Sequence, residues 1–459
     1  MIPRPSGVFS PGGYVLDIAS AGVTVSADSP AGVFYAQQTL RQLPDSFVGR
    51  IEDGPRFAWR GVMLDVARHF MPVPDVLRFL DLMAIHKLNV LHLHLTDDQG
   101  WRLEVPGWPR LTSVGAWRPR SMRGSRQHGL YDDTPHGGCY TAADLRRLVA
   151  YASSLFISIV PEVDMPGHMQ AALAAYPALG SASASSSSAA ASSSGGASPS
   201  FAGEVMTAWG VSPFALTLTS STMDFVRAVL TQVCDIFPSP LIGIGGDEVS
   251  ADISAVVAFA AEVLASHGRR VYAWDDILTA GAPADAVIAA WRGTLPAVAA
   301  TRAGHQVVSC PDMSCYLDYR QSDDPAEPTP VGTRLTLDDL YAFDPVPPGA
   351  DPALILGAQA NIWTEHMENA RRVDYMAFPR LCAFAEKVWS PPGGNSPDFH
   401  RRLADHLPRL DALGVNYRPL SGPRPSDARP DAPGNPRTHA DREAELAEMT
   451  APLRKRFPL

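Results

Sequence analysis

Apolar positions along this chain repeat with two different periods. Over residues 14–18 and 23–25 they alternate with polar ones, the mark of short half-buried strands. Residues 34–43 come next, with apolar side chains at helical spacing. Two strands and one helix bury too little apolar area to stand alone. Residues 1–56 are therefore expected to form a partial, possibly truncated α+β domain that leans on the next domain or lacks strands upstream. From Arg60 the pattern becomes strand-then-helix alternation, with strand-like runs ending near Val66, Thr96, Asp164, Asp247, Trp274, Trp291, Pro311 and Trp363. Helical periodicity covers residues 73–88, 142–155, 223–237, 253–266 and 373–389. Thr141-x-x-Asp144 and Ser221-x-x-Asp224 have the form of capping boxes opening two of these helices. Eight short, largely apolar strands predict an α/β chain whose main domain, residues 57–415, is a closed (β/α)8 TIM barrel. The alternative, an open doubly wound sheet, wants a glycine-rich phosphate turn after its first strand. Asp65-Val66-Ala67-Arg68-His69 does not supply one.

Two segments depart from this alternation. Residues 181–200, SASASSSSAAASSSGGASPS, read as a flexible low-complexity insert with no means of forming a core. Residues 416–459 are rich in Pro, Arg and Asp, with a short charged helix expected over 442–449, and read as a surface tail.

Composition narrows the function. The 459 residues are 46 % apolar and 19 % charged, so the chain is not disordered, and the formal charge of −10 comes without any Lys/Arg run. Nucleic acid and anionic membrane surfaces are therefore poor partners. The five cysteines, Cys139, Cys234, Cys310, Cys315 and Cys382, show no CxxC pairing, which argues against a disulfide scaffold or a zinc–cysteine site. No stretch reads as a membrane span, and MIPRPSGVFSPGGYVLD has no signal-peptide core. The sequence as written predicts a cytoplasmic protein, or a secreted one if its start lies upstream.

In a TIM barrel the chemistry lies at the carboxyl ends of the strands. Those ends offer Arg68, Asp97, Asp98, Asp164, His168, Asp247, Glu248, Trp274, Trp291, Tyr316, Asp318, Trp363 and Glu365. Aromatic faces stack on the C–H faces of sugar rings and carboxylates accept hydrogen bonds from hydroxyls, so a neutral carbohydrate is the natural guest. No basic cluster is present to hold a phosphate. Asp247 and Glu248 follow a buried strand ending in two glycines, which sets them apart from a solvated turn. Asp164 and His168, four residues apart, read as a carboxylate–imidazole pair. His92-x-His94 would suit a metal-dependent hydrolase only with more histidines at later strand ends. The fourth strand is followed by Asp247 and Glu248 alone, so His92 and His94 read as hydrogen-bonded barrel histidines, with no metal.

At these residues the chain resembles glycoside hydrolase family 20, the β-N-acetylhexosaminidases. The resemblance rests on Arg60-Gly61-Val62-Met63-Leu64-Asp65-Val66-Ala67-Arg68-His69-Phe70 and on the run from Lys87 to Trp101 that contains His92-Leu93-His94-Leu95-Thr96-Asp97-Asp98. It continues through Val160-Pro161-Glu162-Val163-Asp164-Met165-Pro166-Gly167-His168, Ile244-Gly245-Gly246-Asp247-Glu248, Tyr316-Leu317-Asp318, Ala360-Asn361-Ile362-Trp363-Thr364-Glu365 and Phe378-Pro379-Arg380-Leu381. It covers about residues 12–415.

The resemblance implies that Glu248 is the general acid/base, its pKa raised by burial and by Asp247. Asp247 would take the N–H of the substrate's 2-acetamido group and Tyr316 its carbonyl oxygen. Arg68, Asp318 and Glu365 would bind outer hydroxyls, and Trp274, Trp291 and Trp363 would wall the pocket. Asp164 and His168 would tune Glu248, with Asp97 joining Arg68 or that network. The implied activity is exo-hydrolysis of terminal β-linked N-acetylglucosamine or N-acetylgalactosamine from an oligosaccharide or glycoconjugate. Family 20 is a substrate-assisted exception among retaining glycosidases. No cofactor is implied. A hexosaminidase specialised for one linkage and a weakened sugar-binding homologue remain as alternatives; the intact Asp247, Glu248 and Tyr316 speak against the latter. Two departures are visible. Gly243 stands where the family usually has His, and residues 1–56 match only the second half of the usual preceding domain.

Overall fold

The computed structural model describes residues 12–27, 29–180, 204–249 and 252–457; the Ser-rich stretch 181–200 lies outside them. The N-terminal piece contains strands β1 (Tyr14–Ala19) and β2 (Gly22–Ala27), helix α1 (Pro30–Leu40) and strand β3 (Gly49–Asp53), forming an antiparallel sheet in the order β2-β1-β3. The alternation of apolar residues marks β1 and β2. β3, of sequence GRIED, has only Ile51 to signal it. This small sheet leans on the barrel. Tyr14, Leu16, Tyr35 and Ala36 cluster with Trp389, and the Trp389 indole N–H donates to Asp53 at 2.9 Å.

Eight parallel strands then close a barrel, in chain order around the ring: β4 (Trp59–Asp65), β5 (Val90–His94), β6 (Ser158–Glu162), β7 (Leu241–Gly243), β8 (Arg270–Trp274), β9 (Val287–Ala290), β10 (Gln306–Ser309) and β11 (Ile355–Ile362). This is the (β/α)8 TIM barrel that the alternation predicts. Between the strands run α2 (Val73–Ile85), α3 (Ala142–Ser154), α4 (Ser220–Ile236), α5 (Ser254–Ser266) and α6 (Leu295–Arg302). Thr141 caps α3 in a true capping box with Asp144. The expected box at Ser221 is not formed: α4 starts earlier, and Thr219 accepts the N–H of Thr222 instead. The helix expected over residues 373–389 is two, α7 (Ala370–Ala377) and α8 (Arg380–Trp389), because Pro379 has no N–H to continue the first. α9 (Ser396–Ala412) comes next.

The segment read as a surface tail is more than that. It forms α10 (His439–Met449) and α11 (Ala451–Arg456), and buries Leu446 and Leu453. Arg442 on α10 reaches the carboxyl end of the barrel, where its Nε lies 2.6 Å from Asp312 Oδ2. Among the described residues no helix is long and apolar enough to cross a membrane.

Candidate active site

The loops after the strands enclose a cavity of about 190 Å³, which suits one sugar ring rather than a chain. Arg68, Asp97, Asp164, His168, Asp247, Glu248, Trp274, Trp291, Tyr316, Asp318, Trp363 and Glu365 all line it, so the structure brings together every candidate site residue of the sequence except Asp98. Asp98 is turned away, accepting the backbone N–H groups of Gln170 and Ser212 at 3.0 and 2.8 Å. Two lining residues escaped sequence reasoning. Tyr319 sits one residue beyond the Tyr316-Leu317-Asp318 motif, and Arg442 comes from α10, beyond the barrel.

The backbone after β7 is shaped to present two adjacent acids. Gly245 and Gly246 take φ of 66° and 86°, and Glu248 itself takes 54°. A Cβ on Gly245 would overlap the Asp164 carboxylate. Only glycine allows the chain to pass Asp164 in this conformation. The same carboxylate accepts the Gly246 N–H at 3.2 Å, which pins the turn. Gly243 is also crowded, since its added Cβ would lie 2.6 Å from Glu162 Cβ. A histidine there would have no room beside Glu162.

A chain of buried charges runs behind the cavity. Arg68 Nη2 lies 2.7 Å from Asp97 Oδ2, and the same oxygen lies 2.9 Å from His94 Nε2. The other nitrogen of His94 is 2.6 Å from Glu162 Oε1, and Gln359 donates to His92 Nδ1 at 3.0 Å. These are the hydrogen-bonded barrel histidines expected. His168 Nδ1 lies 3.2 Å from Asp97 Oδ1, so its pairing partner is Asp97 and not Asp164, as the sequence spacing suggests. Asp164 is instead committed to the Gly246 backbone. His168 Nε2 faces the cavity, 3.5 Å from Glu248 Oε2 and 3.7 Å from Asp247 Oδ2.

These contacts set the charges. Burial works against an imidazolium at His168, but Asp97 and Asp164 more than offset it and hold its pKa well above the ordinary value. Burial pushes Asp247 up to about 6; Glu248 adds to this and His168 opposes it. Burial, then Asp247, raises Asp164 well above the carboxylate range. Glu248 departs from expectation. Burial alone would raise it, yet the hydrogen bond and positive charge of His168, followed by Arg68, hold it below its usual value. Burial and then Glu365 raise Asp318, while burial raises Glu365 against the pull of Arg68.

The remaining wall is aromatic. Trp274 and Trp363 lie 5.8 Å apart, Arg68 sits 4.8 Å over Trp363, and Trp291 stacks with Tyr316 at 6.4 Å and 18°. Asp247 Oδ1, Asp318 Oδ1 and Trp274 Nε1 are buried with no hydrogen-bond partner among the described residues. His168 Nε2 is a fourth; buried polar atoms are normally satisfied, so four orphans on residues lining one small cavity point to a polyhydroxylated guest.

Comparison with known proteins agrees with this geometry. The model of the glycosyl hydrolase family 20 catalytic domain matches residues 57–256 and 253–392, and that of the family's domain 2 matches residues 5–53. The Beta-hexosaminidase of Porphyromonas gingivalis is 36 % identical over 448 residues, covering 88 % of this chain and 54 % of that protein. The chain thus spans about half the length of that relative. The solved GH20 beta-N-acetylhexosaminidase from Streptomyces coelicolor A3(2) superposes with a TM-score of 0.76 at 32 % identity, over 92 % of this chain and 85 % of that one. The GH20 exo beta-N-acetylglucosaminidase from Vibrio harveyi, solved in complex with N-acetylglucosamine, gives 0.73 at 31 % identity, over 90 % and 68 %.

Proposed function

The chain belongs to glycosyl hydrolase family 20 and is a glycoside hydrolase, and from that premise we propose that it removes terminal, non-reducing β-linked N-acetylglucosamine or N-acetylgalactosamine with retention, using the substrate's own acetamido group as nucleophile. The observation that carries this reading is the grouping, in one cavity, of Glu248, the unpartnered Asp247 Oδ1 and the Tyr316 ring. A cavity of about 190 Å³ supports release of a single sugar from a chain end.

In this mechanism Tyr316 donates to the acetamido carbonyl oxygen and aligns it below the anomeric carbon. That oxygen forms a bond to the anomeric carbon as the glycosidic C–O bond breaks, and Glu248 delivers its proton to the departing oxygen. The product is an oxazolinium ion whose positive charge extends onto nitrogen, where ionised Asp247 accepts the N–H. Water then opens the ion, giving its proton to Glu248 and restoring the acetamide. An internal nucleophile already in place draws on high effective molarity, so the protein need not supply one.

The charge pattern of the pocket by itself is the reverse of the working one, with Asp247 above its ordinary value and Glu248 below. Substrate binding corrects this. An amide N–H on Asp247 favours its carboxylate, and a leaving group that excludes water from Glu248 favours the acid. Glu248 has far to go, since its side chain is 36 % exposed beside His168.

Hydrolysis of an aryl β-N-acetylglucosaminide, set against the matching β-glucoside, tests the assignment. Turnover of the first and none of the second is expected; comparable turnover of both would refute it.

A further inference from the structure

A second constellation lies at the opposite, amino end of the barrel, where the helices return to the next strands. His86 caps the carboxyl end of α2, Cys382 lies in the first turn of α8, and His406 lies in the middle of α9. His86 Nδ1 is 2.7 Å from the Leu82 carbonyl oxygen, which fixes its proton there and leaves Nε2 as a lone pair. That Nε2 lies 3.1 Å from His406 Nε2 and 3.4 Å from Cys382 Sγ. The three donor atoms lie within 4.8 Å of one another and border a cavity of about 680 Å³ beneath the N-terminal domain.

We propose that His86, Cys382 and His406 form a zinc-class metal site with its fourth position open to this cavity. Two imidazoles and a thiolate are a borderline-soft donor set, suited to Zn(II). Around a tetrahedral zinc, bond lengths of about 2.05 Å to N and 2.3 Å to S place donor atoms about 3.3 Å (N to N) and 3.6 Å (N to S) apart. The observed 3.1 and 3.4 Å are each about 0.2 Å shorter, so both pairs that include His86 stand near ligand spacing, and the Cys382–His406 pair, within 4.8 Å, has at most about 1.2 Å to close. The hydrogen bond from His86 to the Leu82 carbonyl is the outer-shell contact that orients a ligating histidine. Without metal, His406 Nε2–H donates to His86 Nε2. Binding moves that proton to His406 Nδ1, and the Cys382 thiol proton leaves to solvent as the S–metal bond forms. The residues come from three separate helices, so no sequence spacing announces them. A bound ion would tie α2, α8 and α9 together far from the sugar pocket.

Cobalt(II) titration of the full chain after chelator treatment tests this, because a thiolate ligand gives an intense near-ultraviolet charge-transfer band. The expected result is one equivalent bound with that band, displaced by zinc. Cys382→Ser should abolish the band, and His406→Ala, on a more accessible helix, should weaken binding at least ~10-fold, since loss of even an outer-shell partner does as much. Zinc should raise Tm of the parent chain more than that of either variant at the same metal concentration. Absence of the band, cobalt binding without it, or a band undiminished in Cys382→Ser would each overturn the proposal.

Discussion

His168 is turned by Asp97: its Nδ1 lies 3.2 Å from Asp97 Oδ1, leaving Nε2 3.5 Å from Glu248 and 3.7 Å from Asp247. The other oxygen of Asp97 holds Arg68 at 2.7 Å. One carboxylate therefore positions both the Arg68 cation at the cavity wall and the imidazolium beside the acid pair. Asp97→Asn should lower kcat/KM on the order of 10²-fold, the effect of a small misplacement in a positioned site. It should also shift the pH profile upward, because a less positive His168 no longer holds Glu248 down. Circular dichroism would check folding. A profile left in place would show that Asp97 does not act through the pair.

The pH profile itself derives from Asp247 and Glu248. Interacting groups titrate as a unit, so the limb belongs to the pair. In the proposed mechanism the working form holds one proton, on Glu248, and Asp247 stands at about 6 in the pocket before substrate binds. That proton is present below about 6 and lost above it, so kcat/KM should fall with rising pH along a limb centred there. Asp247→Asn removes the neighbouring negative charge and should move the limb to lower pH as turnover drops. Steady-state rates on an unactivated substrate report this; a limb that rises with pH contradicts it.

Folding stability should depend on His94. Burial opposes its charge, but Asp97 and Glu162 raise its pKa from 6.5 to about 9. The contribution is complete below 6.5 and is lost as pH climbs through about 9. A shift of that size corresponds to about 3 kcal/mol. Tm measured from pH 6 to 10 should decline across this window in the parent chain, and His94→Gln should flatten that part of the curve. Parallel curves would assign the loss to other groups.

Gly245→Ala tests the turn. An alanine at φ 66° is strained by about 1–2 kcal/mol, and its Cβ meets the Asp164 carboxylate, so Asp164 or the acid pair must move. Tm should fall, by about 1 °C for each kcal/mol lost in a chain of 459 residues. kcat should drop more than the folded fraction explains. Unchanged kcat in folded protein would mean that the turn does not place Glu248.

The barrel was legible because its strands are buried, largely apolar runs, and all but β10 end on, or within four residues of, a polar or aromatic residue that lines the cavity. β3 was hidden by having one apolar residue, Ile51. Sequence spacing pairs His168 with Asp164, four residues away, because only near neighbours are visible in it; Asp97 lies 71 residues away and meets His168 only once β5 and β6 pair. The direction of the Glu248 shift depended on that same contact. Arg442 carried no signal, because charges on a terminal helix read as a solvated face until α10 docks against Asp312.

In the proposed mechanism the acetamido oxygen attacks the anomeric carbon. The most direct test of that attack is kcat/KM for aryl β-N-acetylglucosaminides, with one leaving group, whose acetyl methyl carries zero to three fluorines. Each fluorine weakens the carbonyl oxygen as a nucleophile while leaving the sugar and leaving group unchanged. Attack by that oxygen gives a steep, continuous fall in log kcat/KM with fluorine number; rates independent of fluorination would rule it out.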